Sequence, residues 1–315
     1  MAGLFLGIDT SNYKTSLAVV DGNKNIVFNR SEYLDVKQGE RGLRQSEAFF
    51  KQSNKLPAFI KSVFSIVNPD DISGIGVSTR PRRIDGSYMP CFLAGYNLAI
   101  ELGATLDVPV YEFSHQEGHA AAIIESYDNN PGKNNLLYHL SGGTTELLLC
   151  SEDDLGYRMK IVGGTKDISC GQLLDRIGVE LGYSFPSGMY LDKIAIDNNE
   201  KSKVVPHIKH MDGYFNLSGI ETKLIRYIHN DPSSREISSM ISTLFAEIAC
   251  VLGKTIEYAR NTNSVERIYI AGGVASSESI RNRLKNSDYI FGSPTLSGDN
   301  AVGVAILANK LHNRG

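Results

Sequence analysis

Three apolar, strand-like runs in this chain end on short turns of glycine and small hydroxylated residues, and this recurrence limits the possible folds more than any other feature. Leu4-Phe5-Leu6-Gly7-Ile8 runs into Asp9-Thr10-Ser11, a run at 136–140 into Ser141-Gly142-Gly143-Thr144-Thr145, and a run at 267–271 into Gly272-Gly273. Glycine lets the backbone approach a ligand closely, and successive N–H groups of such turns form nests for anions. One such turn alone is more often an ordinary hairpin. Three at strand ends point to a nucleotide held by an α/β protein. The chain has no GxxxxGK(S/T) segment and no GxGxxG after its first strand, which sets aside a P-loop and a Rossmann site.

The first turn belongs to an antiparallel opening, with strands expected at 4–9, 15–20 and 25–29. A helix at 46–67 follows, with Pro57 as an expected break, then a strand at 72–77, a helix at 91–106 and a short strand at 108–111. The order recurs with strands at 136–140, 146–150 and 158–162, helices at 168–181 and 234–259, a strand at 267–271 and a helix at 276–284. Ile237, Met240, Ile241, Leu244, Phe245, Ile248 and Leu252 keep a three/four spacing that marks one core-facing stripe. The halves are similarly organised but do not align as a repeat. No Gly/Ser-rich or Pro-rich linker separates them, so the expectation is two lobes sharing a ligand cleft. The expected division is an N-terminal lobe at 1–112, with a helix at 300–315 packing back on it, and a C-terminal lobe at 113–299 carrying the metal and nucleotide sites.

Composition bounds the function. The 315 residues suffice for two lobes, and 42% hydrophobic with 21% charged content fits a soluble globular protein. No run of about 18 apolar residues occurs, and no basic region precedes the apolar N-terminus, so neither a membrane span nor a signal peptide is expected. Cys91, Cys150, Cys170 and Cys250 are dispersed and form no CxxC pair, which suits a reducing, cytoplasmic setting. With a net charge of -3, any nucleic-acid surface must be a local patch. Arg80, Arg82 and Arg83 form a short basic run that reads as a solvated loop.

His115-Gln116-Glu117-Gly118-His119 places two imidazoles at i and i+4, on one helix face, where they can bind one metal. An HxxxH pair by itself is more often coincidence. Here it follows an apolar strand, precedes Ala120-Ala121-Ala122, and uses two of only seven histidines. Gln116 occupies the position where a zinc protease needs its general-base Glu, and Glu117 points off that face, which disfavours a metalloprotease.

These motifs together resemble the TsaD family, the threonylcarbamoyl-adenosine synthases of the actin/hexokinase superfamily once called glycoproteases. Leu6-Gly7-Ile8-Asp9-Thr10-Ser11 resembles the family's opening, His115-Gln116-Glu117-Gly118-His119 its HxEGH, and Leu140-Ser141-Gly142-Gly143 its VSGG turn. Gly171 with Asp175 is similar to AGExxD, Phe215-Asn216-Leu217-Ser218-Gly219 to FSFSG, Ala271-Gly272-Gly273-Val274 to AGGV, and Asp299-Asn300-Ala301 to its Asp-Asn-Ala segment. The order is the family's, nearly end to end. The resemblance implies a two-lobed actin/hexokinase-like fold and a divalent metal, iron or zinc, on His115, His119 and Asp299. It places ATP or an acyl-adenylate on Ser141, Gly142, Gly143, Asp175, Gly188 and Asp192, with Asp9, Gly272 and Gly273 at the other two turns. It also implies transfer of a threonylcarbamoyl group from the adenylate to a tRNA adenosine. The implied partners are a small ATPase and a TsaB-like degenerate paralogue, or a second copy, bound through the N-terminal lobe.

The departures mark a divergent paralogue. Thr144 stands where the bacterial family turn SGGHTQ has His, Gln172 replaces the Glu of AGExxD, and Ser277 replaces the Asn after AGGVAA. The segment 79–90 replaces the family's PGPGL. Transfer to a non-tRNA acceptor and a non-catalytic nucleotide-binding regulator are therefore the alternatives. His139 corresponds to a metal-ligating Tyr of the archaeal and eukaryotic members. Strand alternation puts it on the face of Ser141, so it is a candidate fourth ligand. Three imidazoles and a carboxylate suit Zn²⁺ or Fe²⁺ better than Mg²⁺.

Overall fold

The computed structural model of the chain describes residues 3–11, 14–35, 43–127, 132–198, 200–298 and 301–314. The expected ligand Asp299 lies outside the described residues. The chain opens with β1 (Leu4–Thr10), β2 (Lys14–Val20), β3 (Ile26–Tyr33), α1 (Gln45–Phe64), β4 (Ile72–Arg80), α2 (Phe92–Leu106), β5 (Val110–Ser114) and α3 (His115–Tyr127). It continues with β6 (Asn134–Leu140), β7 (Thr145–Asp153), β8 (Gly156–Thr165), α4 (Cys170–Glu180), α5 (Gly188–Asp197), β9 (Tyr214–Phe215) and α6 (Ser218–Ile228). It ends with α7 (Ser234–Thr262), β10 (Arg267–Ala271), α8 (Glu278–Arg283), β11 (Tyr289–Phe291), α9 (Pro294–Ser297) and α10 (Val302–His312).

Two compact units result. One comprises Met1–Pro131, Ser151–Met159 and Leu296–Gly315, the other Gly132–Cys150 and Lys160–Thr295. The first contains a mixed sheet in the order β3-β2-β1-β4-β5, antiparallel through β1–β3 and parallel from β1 through β4 to β5. Leu6, Ile8, Leu17, Val19, Ile75 and Val77 pack from this sheet against Leu56, Phe59 and Val63 of α1. That packing corrects the expected break at Pro57. The helix runs through it unbroken, because the buried side chains on either side outweigh the roughly 3 kcal/mol a mid-helix proline costs.

The helix α10 is buried along nearly its whole length and packs on β1, β4 and α3. Its approach to α3 requires glycine, since a Cβ on Gly303 would sit 1.8 Å from the Gly118 carbonyl oxygen. This contact places α3, with His115 and His119, in the first unit, whereas the sequence-based division assigned both histidines to 113–299.

The second unit holds a sheet in the order β11-β10-β6-β7-β8-β9. Its core joins Leu136, Tyr138 and Leu140 of β6 to Met240, Ile241, Leu244, Phe245, Ile248 and Leu252 of α7, the stripe that the spacing marked. Among the described residues α7 alone has the length and hydropathy of a membrane span, and this stripe is buried in the core. The helix starts on a capping box in which Ser233 and Glu236 satisfy each other's backbone N–H groups.

The inner end of α3 is tied down by charge. The Glu125 carboxylate is fully buried and accepts hydrogen bonds from Lys24 at 2.7 Å, Lys310 at 2.5 Å and the Tyr157 hydroxyl at 2.6 Å. Burial alone would raise its pKa, but these donors outweigh burial and hold it below the ordinary glutamate value. A depressed folded-state pKa gives stability that is present above the unfolded-state pKa and lost as pH falls through the folded one. Glu125→Gln should therefore cost about 3 kcal/mol at pH 7, the low end for breaking a buried ion pair because both lysines keep some solvent. Urea unfolding should show the gap between variant and wild type closing below about pH 4. An equal gap at pH 7 and pH 3 would show that the carboxylate's charge contributes nothing.

Candidate functional site

The histidine pair is built at the junction of β5 and α3. Ser114 and Glu117 form a capping box there, with the Ser114 N–H donating to Glu117 Oε2 at 2.8 Å and the Glu117 N–H to Ser114 Oγ at 3.2 Å. Glu117 is thus turned back onto its own helix start. The next residue, His115, meets Asp9 at the end of β1, with Nδ1 2.6 Å from Asp9 Oδ2. The same oxygen accepts the Ser78 hydroxyl at 3.1 Å. Asp9 is 1% exposed, and its Oδ1 has no hydrogen-bond partner among the described residues.

The other ring nitrogen of His115 faces His119, with Nε2 to Nε2 at 3.0 Å and the rings nearly perpendicular at 77°. Two nitrogens each about 2.1 Å from one ion stand this far apart when the angle at the ion is near 90°. The pair therefore fits two adjacent positions of a divalent metal. Among the described residues no group of three or more His, Cys, Asp or Glu side chains is gathered as a metal set. Asp299 lies outside them. His139 belongs to the second unit, on β6 opposite Ala271 of β10, and it is half-buried while its neighbours Tyr138 and Leu140 face the core.

The second unit contains a pocket of about 330 Å³, a size suited to a small ligand. Leu174 and Phe245 form its apolar floor, and Gly142, Asp175, Gly188, Asp192 and Gly273 of the expected nucleotide set line it. Ser141, Gly143 and Gly272 are not among the lining residues, and Asp9 sits with the histidines in the first unit. Gly272 has φ 112°, and a Cβ there would lie 2.1 Å from the Leu140 carbonyl oxygen, so it serves the close passage of β10 past β6.

The glycine turn is held rigidly. The Ser141 N–H donates to the Thr144 carbonyl at 2.8 Å and the Thr144 N–H to Ser141 Oγ at 3.0 Å. Ser169 caps α4, reciprocally bonded to Gln172, and its hydroxyl donates to the Gly142 carbonyl at 2.7 Å. The Cys170 N–H donates to Thr145 Oγ1 at 2.9 Å. The role of Ser169 was missed, although Ser169-x-x-Gln172 is a readable capping signature.

The two pocket carboxylates differ. Asp175 Oδ1 accepts the N–H groups of Ser187 at 2.8 Å and Gly188 at 3.1 Å, and its other oxygen has no hydrogen-bond partner among the described residues. Asp192 spends both oxygens on the start of α8. It accepts the Ser277 hydroxyl and the Ser279 N–H on Oδ1 and the Glu278 N–H on Oδ2. Asp167, also missed, is an anchor of the same kind. It accepts the Leu217 and Ser218 N–H groups at 2.9 Å and so holds the start of α6. Burial raises the Asp167 pKa, but the hydrogen bonds from Ser218 and the backbone outweigh it and lower the pKa.

Arg83 does not behave as a solvated loop residue. Its guanidinium pairs with Asp153 at 3.0 Å and reaches Glu117 at 3.5 Å. No cysteine is poised as a nucleophile in the core, since burial pushes the Cys91, Cys150 and Cys170 thiols up to about 12.

The family model of TsaD, described as tRNA N6-adenosine threonylcarbamoyltransferase, matches residues 32–306. The enzyme of that description from Syntrophotalea carbinolica is 29% identical over 96% of this chain and 90% of its own length. That from Thermotoga neapolitana is 27% identical over 98% of this chain and 94% of its own. Among solved structures, HypF of T. kodakarensis aligns with TM-score 0.59 and 14% identity, covering 99% of this chain and 47% of that one. Component A of the Acidaminococcus fermentans (R)-2-hydroxyglutaryl-CoA dehydratase aligns with TM-score 0.56 and 15% identity over 99% and 100%. A ROK family glucokinase from Streptomyces griseus gives 0.51 and 14% over 98% and 100%. At these identities the structures share the fold alone, which is actin/hexokinase-like. The chain belongs to the TsaD family, the tRNA N6-adenosine threonylcarbamoyltransferases, which are acyltransferases.

Proposed function

We propose that this chain is a metal-dependent transferase of the TsaD type that moves a threonylcarbamoyl group from an acyl-adenylate to an adenosine of tRNA. The observation that carries the reading is the convergence of His115 and His119 Nε2 at 3.0 Å behind a family-matched sequence. In the reaction the adenosine amine forms a C–N bond to the carbamoyl carbon and loses a proton. The bond from that carbon to the phosphate oxygen breaks, and AMP leaves with the electron pair. No enzyme nucleophile is needed.

The residues of the pocket then bind and orient. Pro186 and Met189, exposed residues of the lining, offer an apolar surface to the base, and the unpartnered oxygen of Asp175 suits a ribose hydroxyl donor. The turn at Gly142 leaves room for the phosphate, because a Cβ on Gly142 would meet nothing within 4 Å. His115 and His119 would hold the metal, with Asp299 as the third ligand that the family resemblance implies, and the imidazole donors favour Fe²⁺ or Zn²⁺. When bound, the metal supplies Lewis-acid stabilisation of negative charge on the donor. We place the protein in the cytoplasm, working with a TsaB-like paralogue or a second copy docked on its N-terminal unit.

Incubation of the purified protein with threonylcarbamoyl-adenylate and unmodified tRNA should yield the modified nucleoside by mass spectrometry. Consumption of the adenylate without tRNA modification would favour the non-tRNA acceptor, to which the rewritten segment 79–90 points. Binding of metal and nucleotide with no turnover would favour a regulator.

A second test addresses the pocket. Gly142→Val has space to fold but fills the ligand side, so AMP affinity in calorimetry should fall by about tenfold or more at an unchanged melting temperature. Unchanged affinity in the folded variant would place the nucleotide elsewhere.

A further inference from the structure

We infer that Asp9 is the positioning residue of the metal centre, fixing the tautomer and ring direction of His115, an inference that rests on the metal reading above. The buried carboxylate approaches Nδ1 at 2.6 Å, the edge of the ring opposite Nε2, so it acts through His115 and not as a ligand itself. A carboxylate accepts hydrogen bonds, so Nδ1 is the nitrogen that carries the proton, and in the neutral ring this leaves the lone pair on Nε2. Nε2 lies 3.0 Å from His119 Nε2, on the side that the metal reading assigns to the ion.

Three features hold the carboxylate in register. Asp9 is the penultimate residue of β1, opposite Ser16 of β2 and one residue past the pairing of Ile8 with Val77 of β4. Ser78 donates to the oxygen that holds His115. The position is 1% exposed, so water does not compete for the bond. Phe92 lies against the ring, with centroids 5.9 Å apart, and limits its rotation. A carboxylate behind a metal-binding imidazole orients the ring and raises its basicity, and losing it costs metal affinity about 10–100-fold.

The test uses the full chain with Co²⁺ as the probe and histidine labelled with ¹⁵N. In the metal-free wild type, His115 should be the Nδ1-protonated tautomer by NMR. Asp9→Leu, similar in size and unable to accept, should shift His115 toward the Nε2-protonated form. Its Co²⁺ affinity in chelator competition should fall about 10–100-fold, with a changed Co²⁺ absorption spectrum. His115→Ala and His119→Ala should each lose more. If both histidine variants bind Co²⁺ as wild type does, the metal reading fails and this inference with it. If they lose the ion while Asp9→Leu keeps wild-type affinity and tautomer, the role of Asp9 alone is overturned. An Nε2-protonated His115 in the metal-free wild type overturns it without any variant.

Discussion

The placement of the histidine pair depends on a backbone-to-backbone approach. At Gly118 and Gly303, α3 and α10 come so close that a side chain on either glycine would meet the other helix: 1.8 Å from a carbonyl oxygen on Gly303, 3.1 Å from Val304 on Gly118. Gly118 sits between the two histidines in sequence, so the histidine face and the packing face of α3 are set by the same turn of helix. The far end of α3 is fixed to α10 again, through Glu125 and Lys310. With both ends held, the direction in which His115 and His119 point is a property of the packed unit.

The polar groups of the second unit divide by what they bond. Asp192 lines a ligand-sized pocket, yet like Asp167 and Ser169 it is used on helix N-termini or on the glycine turn. Helix starts leave N–H groups without partners, and a buried end needs an acceptor. These residues hold the starts of α4, α6 and α8 and the turn at Gly142 in place. Asp175 differs because only one of its oxygens is used in this way, which leaves the other for a hydroxyl donor.

Much of the frame was legible. Alternation and turn residues gave β1, β2, β4, β6 and β10 to within a few residues, and the stripe on α7 was read as core, which it is. The short helices α5 and α6 were not read. They span only 10 and 11 residues and each buries two side chains, although Ile220, Leu224, Ile225 and Ile228 of α6 do keep a three/four spacing that was open to reading. The histidine pair was legible because i, i+4 spacing is local. The Asp9–His115 bond joins residues 106 apart, and no spacing encodes it. Pro57 misled because local propensity was weighed without the tertiary packing that overrides it.

The departures from the family pattern bear differently on fold and on substrate. Gln172 completes a capping box, a task that Glu and Gln both perform, and Ser277 caps α8, as Asn would. Both changes keep the local bonds that hold the pocket. Thr144 closes the glycine turn through its backbone, so its side chain is not what holds that turn. The His expected there would add an imidazole donor beside Ser141 and Gly142, and this chain lacks it. The segment 79–90 anchors itself through Arg83 while leaving Ile84 and Tyr88 each 62% exposed. The frame of the pocket is thus conserved in function by substitutes of the same capping chemistry. Neither Thr144 nor any residue of 79–90 is among the residues that line the pocket, so these two departures leave its walls as they are.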